Sequence, residues 1–367
     1  MLPTLTIRGH TLSSPIIQGG MGVGISLESL ASAVATEEGA GIISSALLHE
    51  ITTKKHGIKF NAHDAIFEEI SEAKFNAKGK GTIGTNIMVY AARDYESSVR
   101  GSVNAGANLI ISGAGLPIAL PKIVGKADIA LVPIVSSLRA LKIIYKKWMS
   151  KPNSYREIDA VILEGRRAGG HLGFKVDEIT NESNKLENLF DPIKDFAQTH
   201  GDFSVIVAGG IYTHADILYW INRGADGVQM GTRFLATEES TANSAFKNAV
   251  IQCTKDDIII SHHKTNPPGS PSGMLFRIIK QSPMFQAGMN RKPLCNKGAV
   301  LQKDSDGKYS KCNAKEDSEK YFCICNGLLS AAGHAPKELP LWTVGTNAWR
   351  VDKILSVHEL MNELKGL

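Results

Sequence analysis

The stretch SVIVAGGIYTHADILYWINRGADGVQMGTRF, residues 204–234, holds two short apolar runs on either side of a segment with helical spacing. The runs SVIVAGG and DGVQMGTRF are largely apolar and lead into glycine, as do strands of a parallel sheet that is covered on both faces. The segment HADILYWINRG begins after Thr213 and ends in glycine, which are typical signals of a helix start and stop. The stretch therefore predicts strand, helix and strand, the repeating unit of an α/β protein.

The same unit recurs along the preceding residues. Six more apolar runs, each followed by turn residues, are PIIQGG from Pro15, AGIISSA from Ala40, GTIGTNIM from Gly81, ANLIISGAG from Ala107, IALVPIVSS from Ile129 and DAVILEG from Asp159. Between them lie segments with helical spacing, among them LESLASAVATEE, DYESSVRGSVNA, SLRALKIIYKKW and LFDPIKDFAQTH. Eight units within about 220 residues favour a closed (β/α)8 TIM barrel over the alternative, a doubly wound open sheet.

The regular alternation of strands and helices ends after Phe234. Residues 261–320 are rich in Pro, Gly, Lys and Ser, so we expect an irregular C-terminal excursion carrying cysteines, followed by a closing amphipathic helix in DKILSVHELMNELKGL. The predicted organisation is a barrel over residues 1–240, a cysteine-containing accessory or substrate region over 241–340, and a C-terminal segment over 341–367 whose helix packs back on the barrel.

Composition narrows the classes of function. The chain has 367 residues, of which 43% are hydrophobic and 21% charged, a balance that excludes a disordered protein. The net charge of +5 comes without a long basic run or a nucleic-acid-binding signature, so we expect no nucleic acid partner. The N-terminus lacks the pattern of a signal peptide, and no stretch approaches the roughly 20 apolar residues that span a bilayer. We therefore expect a cytoplasmic protein without membrane insertion.

Paired glycines follow the last two predicted strands. Gly209 and Gly210 precede the predicted helix start near Thr213, and Gly231 and Thr232 follow the last strand. Backbone N–H groups in the loops after strands seven and eight of a TIM barrel, together with a helix N-terminus, commonly hold a phosphate. The alternative is a pair of ordinary tight turns between strand and helix. Two such glycine clusters on neighbouring strands favour the phosphate site.

One histidine stands among glycines. EGRRAGGHLG, residues 164–173, places His171 between glycines just after a buried strand, where a substrate and a flat cofactor can approach the imidazole closely. Histidine is the side chain that exchanges a proton near neutral pH, so His171 is a candidate acid or base. The alternative is a capping histidine whose ring is hydrogen-bonded to backbone.

The motifs PIIQGGMG, GTNIM, EGRRAGGHLG, VAGGI and GVQMGTRFLATEES, in this order between about Pro15 and Ser240, resemble the nitronate monooxygenase family, whose members are FMN-binding TIM barrels. The resemblance implies that FMN is the cofactor and that His171 is the catalytic histidine. It also implies that the isoalloxazine ring lies beside Gly20, Met21, Gly22 and Gly170, that Asn86 bonds the flavin, and that its phosphate is held by Gly209, Gly210, Gly231 and Thr232. In the implied mechanism, His171 removes or donates a proton next to an electron-withdrawing group while the flavin exchanges electrons with the substrate.

Four cysteines cluster near the C-terminus with the spacing C-x16-C-x10-C-x-C: Cys295, Cys312, Cys323 and Cys325. Four thiolates can hold a [4Fe-4S] cluster or a zinc ion, or they can remain thiols. With GGHLGFK, LENL and VDKILSVHEL, the tail resembles a subgroup that contains a bacterial acyl-carrier-protein dehydrogenase/isomerase, which implies a [4Fe-4S] cluster beside FMN. The polar insertion KGAVLQKDSDGKY between the first two cysteines departs from the pattern of that subgroup.

The resemblance leaves several functions open. Nitronate oxidation is the activity implied by the family, whereas the tail favours dehydrogenation and isomerisation of an acyl thioester on an acyl carrier protein. Reduction of an enoyl thioester by NAD(P)H is a third candidate, and a non-catalytic flavin- or phosphate-binding barrel is the alternative from a different class. Lys142, Lys146 and Lys147 could dock an acidic carrier protein, or they form an ordinary solvated helix face. A homodimer is also expected.

Overall fold

The computed structural model describes residues 2–91, 93–150, 156–287, 293, 297–303, 305–306 and 308–367. Its strands, in chain order, are β1 (Leu5–Ile7), β2 (His10–Leu12), β3 (Ile16–Gln18), β4 (Ala40–Ser44), β5 (Thr82–Met88), β6 (Leu109–Gly113), β7 (Ala130–Val135), β8 (Ala160–Glu164), β9 (Gly170–Leu172), β10 (Ser204–Ala208), β11 (Gly227–Met230), β12 (Ile258–Ser261), β13 (Leu275–Ile279), β14 (Gln302–Lys303) and β15 (Tyr309–Lys311).

Eight parallel strands close into a barrel in the order β10-β11-β3-β4-β5-β6-β7-β8, with β8 paired to β10 at the closure. All eight strands predicted from the apolar runs are present, and the predicted (β/α)8 barrel is confirmed. Their continuous apolar character has a simple cause. Ile17, Ile42 and Ile111 pack inside the barrel, whereas Ile16 and Ile43 pack with the surrounding helices, so both faces of each strand are buried.

Helices follow most of the strands. They are α1 (Glu28–Thr36), α2 (Leu48–His56), α3 (Ala62–Asn76), α4 (Tyr95–Asn104), α5 (Leu120–Val124), α6 (Leu138–Met149), α7 (Leu186–Thr199), α8 (His214–Asn222), α9 (Thr232–Leu235), α10 (Ser244–Gln252), α11 (Pro283–Gln286), α12 (Asn313–Glu316), α13 (Ile324–Ala331) and α14 (Val357–Lys365). The predicted helical segments correspond to α1, α4, α6, α7, α8 and α14. Among the described helices, none has both the length and the apolar character needed to cross a bilayer.

Strands β12, β13 and β9 form a second, antiparallel sheet over the end of the barrel. β9 lies in the loop that follows barrel strand β8, and its residue His171 pairs with Phe276 of β13. The prediction of an irregular excursion is therefore wrong for Leu275–Ile279, a fully buried strand. One partner of this strand, β12, is near in the chain, but the other, β9, is far away, so neighbouring residues do not reveal that pairing. Helix α14 begins with a capping box at Ser356 and packs against α1 and α8.

Candidate active site

A cavity of ≈ 410 Å³ opens at the carboxyl ends of the barrel strands. In TIM barrels this end carries the active site, because the loops that follow the strands converge there. The structure brings all ten residues predicted to bind cofactor or act in catalysis to its lining: Gly20, Met21, Gly22, Asn86, Gly170, His171, Gly209, Gly210, Gly231 and Thr232. The cavity has two differently built sides. We call Gly20, Asn86, Gly209, Gly210 and Gly231 the barrel wall, and His171, Met274 and Phe276 the sheet wall.

The barrel wall is built largely from backbone. A Cβ atom on Gly20 would lie 2.4 Å from Cβ of Asn86, so the absence of a side chain lets these two strand ends meet. Gly209 has a φ of +95°, and a Cβ there would lie 2.8 Å from the carbonyl oxygen of Gly165. Both observations explain why glycine stands at these positions, and they leave flat backbone surface facing the cavity.

The end of the barrel wall near α8 and α9 suits an anion. Gly231 is the N-cap of α9, and the Thr232 hydroxyl accepts a 2.9 Å hydrogen bond from the backbone N–H of Gly345. Arg167 and Arg233 bring two cationic side chains to the same cavity. Sequence reasoning missed both arginines, although each lies within or beside a motif already singled out. Backbone donors with nearby cations are the groups that phosphate selects.

Two amides on the cavity lining lack protein partners. The side-chain oxygen of Gln229, on β11, is buried and accepts no hydrogen bond from the described residues. The Asn86 side chain also lines the cavity, and no described residue hydrogen-bonds to it. Because buried polar groups are normally paired, the Gln229 oxygen indicates a polar ligand, and the half-buried Asn86 side chain lines the same cavity. A flavin offers ring N–H and carbonyl groups, a flat face and a phosphate, so the residues present fit FMN.

His171 lies on the sheet wall, where its imidazole contacts Ser270 and Phe276. Its Nε2 atom is 3.2 Å from the hydroxyl oxygen of Ser270, and its ring packs edge-on against Phe276 with centroids 4.7 Å apart. Burial lowers the pKa of His171 to about 4, so the imidazole is neutral at physiological pH. A neutral imidazole can accept a proton, and the ring is not a helix cap, so the capping alternative does not describe it.

A half-buried carboxyl group shares the cavity with His171. Glu164 ends β8, and burial raises its pKa to about 7, against the opposing effect of the Arg277 guanidinium. Arg277 comes from β13 and donates a hydrogen bond to the carbonyl oxygen of Ala168, while burial lowers its pKa to about 10. Sequence reasoning missed this pair. The signal for Glu164 was available, since it is a carboxyl group directly at the end of an apolar strand.

The predicted metal site receives no support from the described part of the chain. Cys325 lines the cavity, whereas Cys312 and Cys323 lie at the N-caps of α12 and α13. Cys295 falls outside the described residues. Among those that are described, no group of three or more His, Cys, Asp or Glu side chains is arranged to hold a metal ion. Neither a [4Fe-4S] cluster nor zinc can therefore be assigned to these three cysteines.

The lysines predicted to dock a carrier protein are exposed. Lys142, Lys146 and Lys147 lie on α6, opposite the side on which Leu141, Ile144 and Trp148 are buried. Lys142 also lies 5.9 Å above the ring of Phe196. Their geometry fits a solvated helix face as well as a docking surface, so docking stays a prediction.

The closed barrel with a cavity at the carboxyl ends of its strands places the protein in the structural class of TIM-barrel enzymes. The family model for nitronate monooxygenase matches residues 4–366, so the chain belongs to the nitronate monooxygenase family. This confirms the family resemblance seen in the motifs.

Curated relatives match over part of their length. A protein named "Probable nitronate monooxygenase" from Staphylococcus haemolyticus (strain JCSC1435) is 37% identical over 111 residues, which are 30% of each chain. One of the same name from Staphylococcus aureus (strain Newman) is 30% identical over 149 residues, 39% of each chain. The matched segments thus span about a third of the curated relatives.

Solved structures are similar over nearly the full length. FabK from Thermotoga maritima has a TM-score of 0.66 at 21% identity, covering 96% of this chain and 92% of the other. Nitroalkane oxidase from Streptomyces ansochromogenes has a TM-score of 0.66 at 18% identity, covering 97% and 95%. At such low identity the similarity concerns the fold.

Proposed function

We propose that the protein is an FMN-dependent oxidoreductase that oxidises nitronates, with His171 as its acid–base residue. The observation that carries the proposal is a neutral histidine on the sheet wall facing a cavity whose barrel wall has unpaired amides and an anion-binding end. Membership of the nitronate monooxygenase family supports the choice of substrate.

The barrel wall would hold the cofactor. The backbone N–H groups around Gly209, Gly210 and Gly231 would bind the phosphate, and Asn86 and Gln229 would pair with polar edges of the ring. When bound, FMN supplies a group that accepts or donates a pair of electrons. At Gly209 and Gly210, which have positive φ, a side chain would strain the turns, so glycine keeps their backbone accessible to the cofactor.

The sheet wall would handle the proton. Because the His171 ring is neutral, its Nδ1 atom, which has no partner among the described residues, can accept a proton from a carbon next to an electron-withdrawing group. Phe276 and Met274 line the cavity beside it and keep water away from the substrate. His171 can also donate the proton in the reverse direction, so the same wall serves oxidation and reduction.

Acyl thioesters are the second candidate substrates. They carry an acidic C–H bond next to a carbonyl group, and the cavity lining includes the apolar side chains of Met88, Leu116, Ile134, Val300 and Leu328, which suit an alkyl chain. An enoyl reductase domain of MlnA from Bacillus amyloliquefaciens shares the fold, with a TM-score of 0.53 at 14% identity. A carrier protein docked at Lys142, Lys146 and Lys147 belongs to this second proposal.

The test is turnover by purified protein of known cofactor content. The visible spectrum and the extracted cofactor identify FMN, and iron and acid-labile sulfide assays decide whether the cysteines hold a cluster. Oxygen consumption is then measured with the nitronate of nitroethane, and flavin reduction with a saturated acyl thioester. We expect bound FMN and nitronate-dependent oxygen uptake. Protein with FMN that consumes no oxygen with nitronates but is reduced by the thioester would replace the first proposal with the second.

A further inference from the structure

Two serines lie in line behind the catalytic histidine. Ser270 is fully buried and is not among the residues that line the cavity, yet its hydroxyl oxygen is 3.2 Å from His171 Nε2. The Ser270 oxygen is also 2.8 Å from the hydroxyl oxygen of Ser272, which is half-buried. An unbroken row of three hydrogen-bonding groups therefore leads from the imidazole toward the surface of the loop.

The hydroxyl and imidazole protons of this row can be arranged in two ways. The Ser272 backbone N–H donates to the Ser270 oxygen at 3.3 Å, and the Met274 backbone N–H donates to the Ser272 oxygen at 3.2 Å. In the first arrangement, Ser272 donates to Ser270 and Ser270 donates to Nε2, so the imidazole proton is on Nδ1. In the second, Nε2–H donates to Ser270, Ser270 donates to Ser272, and the Ser272 proton faces water, which leaves Nδ1 free to accept. Each arrangement respects the capacity of a hydroxyl for one donated and two accepted bonds.

The surroundings of His171 disfavour a charged imidazole. Glu164 and Arg167 line the same cavity, and among the described residues no ion pair joins a carboxylate to the His171 ring. Burial lowers the pKa of His171 to about 4. A base that must become an imidazolium ion would therefore work against burial, without a carboxylate ion-paired to the ring.

We propose that Ser270 and Ser272 relay the proton, so that His171 acts as a base without acquiring a full charge. This inference rests on the proposed function. The substrate proton moves to Nδ1 while its bonding electron pair stays with the substrate. The Nε2 proton moves to Ser270, the Ser270 proton to Ser272, and the Ser272 proton to water. The second arrangement thereby becomes the first, and protons are conserved. After product leaves, Nδ1 releases its proton to water through the cavity while water returns a proton to Ser272 and the relay runs in reverse, which restores the second arrangement with no net change in protons.

Hydrogen bonds from Tyr90 and Asn313 hold the loop that carries Ser270 and Ser272. The Tyr90 hydroxyl donates to the carbonyl oxygen of Ser272 at 3.0 Å, and the Asn313 side-chain amide donates to the carbonyl oxygen of Pro271 at 2.9 Å. The Gln302 side-chain amide donates to the Tyr90 hydroxyl at 2.6 Å. Tyr90, in the loop after β5, and Gln302 and Asn313, from beyond the barrel, thus fix the backbone of the loop that carries the two serines. This gives the residues beyond the barrel a role in the proposed reaction that does not depend on a metal.

The variants Ser270→Ala and Ser272→Ala test the relay, with Ser261→Ala as the matched control. Ser261, like Ser270, is a fully buried serine, and it ends β12 of the sheet that carries His171, but its hydroxyl donates to the carbonyl oxygen of Phe276 and does not bond to His171. We expect kcat for a substrate offered as a C–H acid, such as neutral nitroethane, to fall about 100-fold in both relay variants, the lower end of acid–base contributions. The control should keep the wild-type kcat, and all three variants should retain FMN.

Solvent isotope effects separate a relay from simple positioning. Abstraction of a carbon-bound proton by the imidazole alone moves no solvent-exchangeable proton, whereas the relay moves three. We expect the wild type and Ser261→Ala to show a solvent isotope effect on kcat with a curved proton inventory, and Ser272→Ala to lose it. A wild type without a solvent isotope effect, or Ser272→Ala with unchanged kcat and inventory, would overturn the relay even if Ser270→Ala is impaired.

The tautomer of His171 can be measured in the absence of substrate. In protein labelled with ¹⁵N-histidine, the ring nitrogen shifts of His171 report which nitrogen carries the proton. We expect the tautomer ratio to change in both relay variants and to stay the same in Ser261→Ala. Unchanged shifts in Ser272→Ala overturn the inference, whereas a wild type that turns over neither nitronates nor thioesters overturns the proposed function and leaves this comparison intact.

Discussion

The two walls of the cavity differ in the chemical groups that they present and in the role proposed for each. The barrel wall presents backbone and short polar side chains at the ends of parallel strands. The sheet wall presents the imidazole of His171 and the ring of Phe276 from the antiparallel sheet, with the thioether of Met274 just before β13. Backbone donors and glycines make a surface for binding a flat, anionic group, because they allow contact without side-chain bulk. A half-buried imidazole that is hydrogen-bonded to a hydroxyl group makes a surface for moving protons. Binding and chemistry should therefore respond separately to substitution.

His171→Ala should have the largest effect and should separate the walls most clearly. Removing the proton-transfer group lowers kcat for a substrate supplied as a C–H acid, such as neutral nitroethane, about 10²- to 10⁴-fold, the range for general acid–base residues. Flavin content should be unchanged, because none of the barrel-wall groups is altered. Steady-state kinetics and the flavin-to-protein ratio measure the two effects. His56→Ala, an exposed histidine on α2, is the control. If His171→Ala lost flavin and turnover to the same extent, the two walls would not have separate roles in binding and chemistry.

Gly209→Ala tests the barrel wall. The added methyl group would lie 2.8 Å from the carbonyl oxygen of Gly165 and would occupy a left-handed conformation with φ of +95°. Strain of about 1–3 kcal/mol is typical of such positions, and 1.4 kcal/mol corresponds to a tenfold change in affinity. We therefore expect FMN affinity to fall about tenfold or more, measured by titration of the apoprotein.

Gly231→Ala is the matched control on the same wall. Its methyl group would have Met21 Sδ as its nearest neighbour, at 3.7 Å, which is ordinary contact. The variant keeps the backbone N–H, so its FMN affinity should change less than that of Gly209→Ala. If Gly231→Ala loses more affinity than Gly209→Ala, the strain in the turn is not what limits binding at this wall.

Glu164→Gln should have the smallest effect, and a pH-dependent one. Burial raises the pKa of Glu164 to about 7, above its usual value, so the folded state binds this proton more tightly than the unfolded chain does. The contribution of Glu164 to the free energy of unfolding should therefore decrease as pH rises from about 4.5 to about 7, by on the order of 2 kcal/mol, and it is isolated as the difference between the wild type and Glu164→Gln.

The glutamine variant cannot ionise and should lack this decrease. Chemical denaturation of both proteins without ligand, at pH 5 and pH 8, measures the difference. The arginine partner limits the effect, because Arg277 stabilises the charged form of Glu164. Parallel pH profiles for the two proteins would show that Glu164 is solvated in the cavity.

The sequence predicts the barrel wall better than the sheet wall for a physical reason. A parallel strand buried on both faces is continuously apolar, and a glycine that allows close approach stands directly at its end, so Gly20 and Gly209 are visible in local patterns. The sheet wall depends on antiparallel pairing between His171 and Phe276, which are far apart in the chain. No local pattern encodes that pairing, and Ser270 therefore escaped notice.

The predicted cysteine site stays a prediction, and it shows a different limit of local patterns. Spacing in the sequence grouped Cys312, Cys323 and Cys325 as ligands, but metal binding depends on thiolates converging at one point. In the described residues one of them lines the cavity and two stand at helix starts, without forming a metal-binding group. A spacing pattern with a polar insertion carries too little information about distance in space.

The most direct test of the central claim is an anaerobic titration of the purified protein with substrate, followed by visible absorbance. The account predicts an FMN spectrum that is bleached by the nitronate of nitroethane or by a saturated acyl thioester, at a rate that depends on His171 when the substrate is supplied as a C–H acid. A protein that binds no flavin, or whose flavin is bleached by C–H acids as fast in His171→Ala as in the wild type, would contradict it.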